Sequence, residues 1–145
     1  GQYGVSQLIK DSSATTGGTF KCPNETCAGH NGEHKNNMQS QTSVCLAPEI
    51  LLVLVKRNIH GGRSQTEILT DGTVTLEAFL PYRATTQYDV LLTLYHISSA
   101  TDYGHYLSSL SIGGDKCRIF NDGRTFEKDR FNDGRANEVC MLVLK

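Results

Sequence analysis

The stretch that most restricts what this chain can fold into is "HYLSSLSIGGDKCRIFNDGR" at 105–124. Two runs rich in β-formers flank Gly113-Gly114-Asp115-Lys116, a turn that only a tight reversal uses well. The segment therefore predicts a β-hairpin with its turn at 113–116. Further strands are expected at "QTEIL" (65–69), "TVTLEAF" (73–79), "QYDVLLTLYHI" (87–97) and "VCMLVLK" (139–145). The apolar and polar residues of "GTVTLEAFLP" alternate, as a half-exposed strand requires. "SVCLAPEILLVLVKR" (43–57) holds the longest apolar run, "ILLVLV", which fits a buried strand or a short buried helix. Pro48 just before it and "NIHGG" just after it favour the strand. "YGVSQLI" (3–9) forms at most a short element, and no segment keeps a helical period beyond a turn or two. The expected fold is mostly antiparallel β, α+β overall. With no helical layer of its own, such a chain is expected to be part of a larger fold.

Length and charge narrow the function. A chain of 145 residues suits one domain with a modest core. The net charge of −1 offers no basic face, so nucleic acid is not an expected partner. No run approaches the roughly 18 apolar residues of a membrane span. The chain opens without Met and without the basic start and apolar centre of a secretion signal, so a piece of a longer protein is expected. Its five cysteines (Cys22, Cys27, Cys45, Cys117 and Cys140) are odd in number and scattered, which points to a reducing compartment, cytoplasm or nucleus. One feature dissents: "NET" at 24–26 is a glycosylation sequon, though such tripeptides arise often by chance.

Residues 1–42 read as a polar N-terminal segment with a Cys/His loop, and 43–145 as the sheet. In "CPNETCAGHNGEH", Cys22, Cys27, His30 and His34 combine soft sulfur and imidazole donors that could wrap a tetrahedral zinc. A solvated polar loop explains the same residues equally well, and the Cys-to-His spacing is too short for a zinc-finger helix.

The chemistry-bearing pair lies in the hairpin. His105 opens its first strand and Asn121 closes its second, so the two ends come nearly opposite each other, where cross-strand neighbours sit about 5 Å apart. An amide oxygen there can hold one imidazole nitrogen, fix the tautomer and aim the other nitrogen at a nucleophile. Gly104 would let a substrate backbone approach beside the histidine. His96, in an apolar strand, reads instead as a packed core histidine, His60 as part of a turn, and the tyrosines as sheet packing.

Taken together, "YDVLLTLYHISSATDYGHYLSSL" and "CRIFNDGRTF" resemble the histidine box of the ubiquitin-specific proteases, cysteine proteases of the papain-like fold. The strand Tyr88 to His96, the loop 97–103, Gly104-His105-Tyr106 and Phe120-Asn121-Asp122 follow the family's order. "APEILLVLVKR" resembles its Pro-x-x-Leu-x-x-x-Leu-Lys-Arg strand, "LEAFLPYRA" a degenerate Phe-Pro segment, and "VCMLVLK" its closing strand. The resemblance implies the palm and fingers half of that fold, spanning about residues 20–145. It implies His105 as general base, Asn121 as its orienting partner and Asp122 as a supporting polar group. Loop 97–103 would close over the tail of ubiquitin, with Tyr103, Gly104 and Tyr106 around its Gly-Gly end. Cys22 and Cys27 would correspond to a zinc knuckle, with two residues more between them than the family's spacing.

The family's Gly-Asn-Thr-Cys-Tyr box, which carries the nucleophile, has no counterpart here. Three readings follow. The chain is the C-terminal half of a thiol-dependent deubiquitinase whose N-terminal half lies on another chain or segment. Alternatively, it is an inactive scaffold of the same fold that binds ubiquitin, a ubiquitin-like protein or an assembly partner. In the third, it is a compact papain-like protease with Cys27 as nucleophile. "FNDGR" occurs at 120–124 and again at 131–135, and both copies read as Asp-Gly turns. Only the first has a histidine placed against it, so Asn121 takes the functional role and Asn132 the structural one.

Overall fold

The computed structural model describes residues 2–12, 16–19, 24–26, 37–40, 44–60, 62–70, 73–77, 85–98, 103–129 and 134–145. The short element at the N-terminus comprises strand β1 (Gln2–Gly4) and helix α1 (Val5–Ser12). The other strands are β2 (Thr16–Thr19), β3 (Asn37–Ser40), β4 (Leu51–Leu54), β5 (Asn58–Ile59), β6 (Gly62–Arg63), β7 (Glu67–Leu69), β8 (Val74–Glu77), β9 (Thr85–Tyr88), β10 (Val90–Ile97), β11 (His105–Gly113), β12 (Lys116–Asn121), β13 (Arg124–Asp129) and β14 (Val139–Leu144).

A six-stranded antiparallel sheet in the order β13-β12-β11-β10-β14-β4 dominates. Its first four members are consecutive in the chain, and the two tight reversals among them are built from residues that tolerate them. Between β11 and β12 Gly113 pairs with Lys116, leaving Gly114-Asp115 as the loop, with φ of 100° at Gly113 and 56° at Gly114. Only glycine adopts such angles without Cβ strain. Between β12 and β13, Asn121 pairs with Arg124 around Asp122-Gly123, and Asp122 takes a φ of 51° that aspartate accepts better than most residues.

One face of this sheet carries the core. Tyr95, Leu107, Cys117, Ile119, Val139, Leu142 and Leu144 are buried there, and Val5, Ile68, Val74, Leu76 and Tyr88 from α1, β7, β8 and β9 join the same cluster. Burying a side chain as fully as Leu142 or Leu144 contributes about 1.5–3 kcal/mol. The register between β10 and β14 shifts between Leu94 and Tyr95, so Val139 and Leu142, an odd number of residues apart, both turn inward.

Three segments differ from the sequence expectation. The run 87–97 is divided at Asp89, whose backbone N–H and C=O both bond Lys145, at 2.8 and 3.0 Å. On one side of that point β9 pairs with β8, and on the other β10 pairs with β11 and β14. The apolar run at 50–55 is a strand, as expected, but not a buried one. Among the described residues it pairs only with β14, at the edge of the sheet, and Leu52 and Leu54 are 62% and 77% exposed while Leu51 and Val53 turn toward the core. A two-residue period divides a uniformly apolar run between two faces, and only one of them faces this core. Finally, β1 pairs in parallel with β7, a contact that no local pattern announces.

Candidate functional site

β11 begins at His105 and β12 ends at Asn121, so both side chains stand at one end of the sheet. Ser108 pairs with Phe120, which puts Leu107 opposite Asn121 and His105 diagonally beyond it on the same face. The diagonal is bridged: His105 Nε2 lies 2.5 Å from Asn121 Oδ1. With the amide oxygen accepting, Nε2 carries the proton and the Nδ1 lone pair is free to act as a base. Half-buried at 42% side-chain exposure, the imidazole stays reachable from solvent. Asp122 Oδ2 is 3.9 Å from the same Nε2, and its carboxylate is 82% exposed. At that distance and exposure it tunes the site only weakly.

Gly104 lies against the end of β10. A Cβ built there would stand 2.6 Å from Ser98 Cβ and 2.8 Å from Ile97 O, and it would also meet the His96 ring. Only glycine passes this point without displacing β10. Tyr103 is 72% exposed. Tyr106 occupies the face opposite His105, where its ring stacks on His96 with centroids 4.5 Å apart and planes 15° from parallel. His96 is therefore no core histidine. It is half-exposed and aromatic-stacked, because it pairs with Tyr106 across the ladder on the outward face.

The cysteines within the described residues do not gather at His105. Cys117 is buried in β12 four positions before Asn121, about 13 Å along a strand, and lies 3.5 Å from Lys128 O. Cys140, in β14, reaches Leu94 O at 3.4 Å, and burial pushes its thiol up. Cys45 is exposed ahead of β4. Cys22, Cys27, His30 and His34, the residues expected to hold zinc or a nucleophile, lie outside the described residues, as does Asn132. Among the described residues no group of three His, Cys, Asp or Glu gathers to hold a metal. Asn24, within the sequon, accepts Thr26 N at 3.1 Å and Thr26 Oγ1 at 2.8 Å in a local turn.

Sequence reasoning missed two arginines at this end of the sheet. Arg57, only 6% exposed, donates from Nε to Val139 O at 2.8 Å, from Nη2 to Ala136 O at 3.1 Å, and from Nη1 to Thr66 O and, at 3.5 Å, to Ser64 O. Burial depresses its pKa, and the like charge of Arg63 adds to that effect. Arg63 donates to the carbonyls of His96 and Ser98. The Lys-Arg ending of the 43–57 motif was the available signal for Arg57. Nothing local marked Arg63.

The fold has known counterparts. No protein-family profile and no curated protein matches the chain. Solved structures do. Ubp8 of the yeast SAGA deubiquitinase module matches with a TM-score of 0.71 at 15% identity, over 99% of this chain and 34% of that one. The module bound to monoubiquitin gives 0.72 at 14% identity, over 97% and 32%. An essential yeast splicing factor gives 0.55 at 14% identity, over 99% and 30%. The chain thus has the fold of part of a ubiquitin-specific-protease domain and spans about a third of the length of these neighbours.

Proposed function

We propose that this chain is the C-terminal, palm-and-fingers part of a thiol-dependent deubiquitinase domain, with residues 1–42 forming an N-terminal segment and a fingers-like Cys/His loop and 43–145 the palm-like sheet. In this reading it supplies the His and Asn of a Cys-His-Asn triad. The observation that carries the proposal is the 2.5 Å contact between His105 Nε2 and Asn121 Oδ1, which leaves Nδ1 as the base. The nucleophilic thiol would come from the rest of the domain. Its proton passes to His105 Nδ1, and the thiolate adds to the carbonyl carbon at the end of the ubiquitin tail. His105 then returns the proton to the departing lysine amine, and water hydrolyses the thioester. Ubiquitin is the proposed partner, in keeping with the ubiquitin-bound state of one structural neighbour. Gly104 and Tyr103 would border the tail, and Asp122 would support the polar end of the site. No cofactor takes part in these steps, and a zinc at Cys22 and Cys27 would be structural. The test is cleavage of a ubiquitin-tail amide by the complete protein: turnover abolished by His105→Ala supports the reading, and turnover indifferent to it refutes the catalytic role.

A second reading rests on the neighbour that is an essential yeast splicing factor, which carries the same fold. In it the chain belongs to a non-catalytic scaffold that binds ubiquitin or an assembly partner. Capture of ubiquitin by the complete protein with no hydrolysis would favour it.

A further inference from the structure

We propose that Arg63 is a positioning residue for His105, acting through the end of β10; the catalytic part of this inference rests on the reading above. The β10–β14 ladder ends at the pair Tyr95–Val139, so beyond Tyr95 no residue of β14 runs beside β10. Arg63, projecting from the short β5–β6 hairpin, supplies donors there instead: Nη1 to Ser98 O, and Nη2 to His96 O at 2.5 Å. These two carbonyls flank Ile97, and Ile97 is the residue paired with His105 in the β10–β11 ladder. On the opposing strand, Gly104 packs against Ser98 Cβ and Ile97 O. The guanidinium and Gly104 therefore grip the same stretch of main chain, immediately opposite the base.

The chemistry suits arginine and no other side chain. A planar fork meets two carbonyls two residues apart, whereas a lysine ammonium holds one at a time. Among the described residues no carboxylate shares the load: the acceptors of Arg63 there are main-chain carbonyls, and its buried Nε meets no acceptor among them. Arg57 stands close enough for the two like charges to repel. The cation is thus held beside another cation by carbonyl oxygens that belong to the strand end it orders.

The experiment uses the complete protein with Arg63→Ala, Arg63→Lys and, as a control for general destabilisation, Val53→Ala in the distant strand β4. Backbone amide exchange is followed at 97–98 and 103–107 and compared with β12 and β13. Arg63→Ala is expected to speed exchange at 97–98 and 103–107 about tenfold while β12 and β13 keep their protection, and Arg63→Lys to recover part of the loss. Val53→Ala should lower the melting temperature without this local pattern. Turnover of a ubiquitin-tail amide should fall about 10–100-fold in Arg63→Ala, in kcat more than in KM, because a base displaced by about 1 Å loses the reaction geometry. A folded Arg63→Ala protein with unchanged exchange at 97–98 and 103–107, or the same loosening in Val53→Ala, overturns the inference. Should Arg63→Ala not fold, Arg63→Lys decides by the same exchange pattern. If no variant and no parent protein turns over substrate, the deubiquitinase reading fails, while the exchange result still decides the role of Arg63.

Discussion

His105 and His96 occupy the same end of two paired strands, one residue apart in the ladder, and have opposite surroundings. His105 shares a sheet face with Asn121 and is held by its amide oxygen. His96 shares the other face with Tyr106 and is held by ring stacking. A histidine becomes a candidate base when one nitrogen has a fixed acceptor and the other is left free. An imidazole lying flat on a phenol ring has no such polarity. The difference stems from parity alone, since a shift of one residue along a strand reverses the face.

The comparison can be broken most directly by exchanging which histidine is lost. In the complete protein, His105→Ala should reduce ubiquitin-tail cleavage by about 10³-fold or more, the scale of losing a triad member. His96→Ala should cost less than about tenfold. Comparable losses in steady-state assays would remove the distinction between the two faces.

Asn121→Ala comes next, with an expected loss of about 10–100-fold, because the ring keeps its place in the strand but loses the bond that fixes its tautomer. Asn132→Ala, in the second copy of the pentapeptide, should leave the rate near that of the parent. Equal effects of the two substitutions would undo the assignment of roles to the repeat.

Gly104→Ala sharpens the contrast between the faces, since its added methyl would press on Ser98 and Ile97 O as well as the His96 ring. A drop in turnover of about tenfold is expected, again from displacement of the base. Combining it with His96→Ala should restore only part of the rate, because the contacts with Ser98 and the Ile97 carbonyl remain. Full restoration would make the aromatic stack, and not the strand end, the element that positions His105.

Within the candidate site, the smallest effect belongs to Asp122→Ala. A carboxylate 82% exposed and 3.9 Å from the imidazole should change activity by no more than about twofold. A large loss, together with a shifted pH–rate profile, would move the orienting role from Asn121 toward its neighbour.

Much of the sheet was legible along the chain. The hairpin at 105–120 could be placed because Gly113 and Gly114 supply backbone angles that other residues avoid, and because the flanking strands carry their own alternation. That same hairpin set His105 against Asn121, since the distance between them depends on one turn and two short strands. The break at Asp89 was hidden, because strand residues continue on both sides of it and the change of partner leaves no local mark. The exposure of Leu52 and Leu54 was hidden for a similar reason: "ILLVLV" reads as buried on both sides, and its position at the sheet edge is a property of the topology.

The sequence by itself determined the β character, the hairpin register and, through that register, the pairing of His105 with Asn121. Each depends on contacts within about twenty residues, where turn chemistry and a two-residue period leave few alternatives. Tertiary structure alone decided how Arg57 and Arg63 close the end of the sheet, and how β1 finds β7. Those contacts join residues far apart in the chain, as in the 2.8 Å bond from Arg57 to Val139 across 82 positions. A long-range bond between a side chain and a main-chain carbonyl leaves no periodic trace, because every residue offers the same carbonyl.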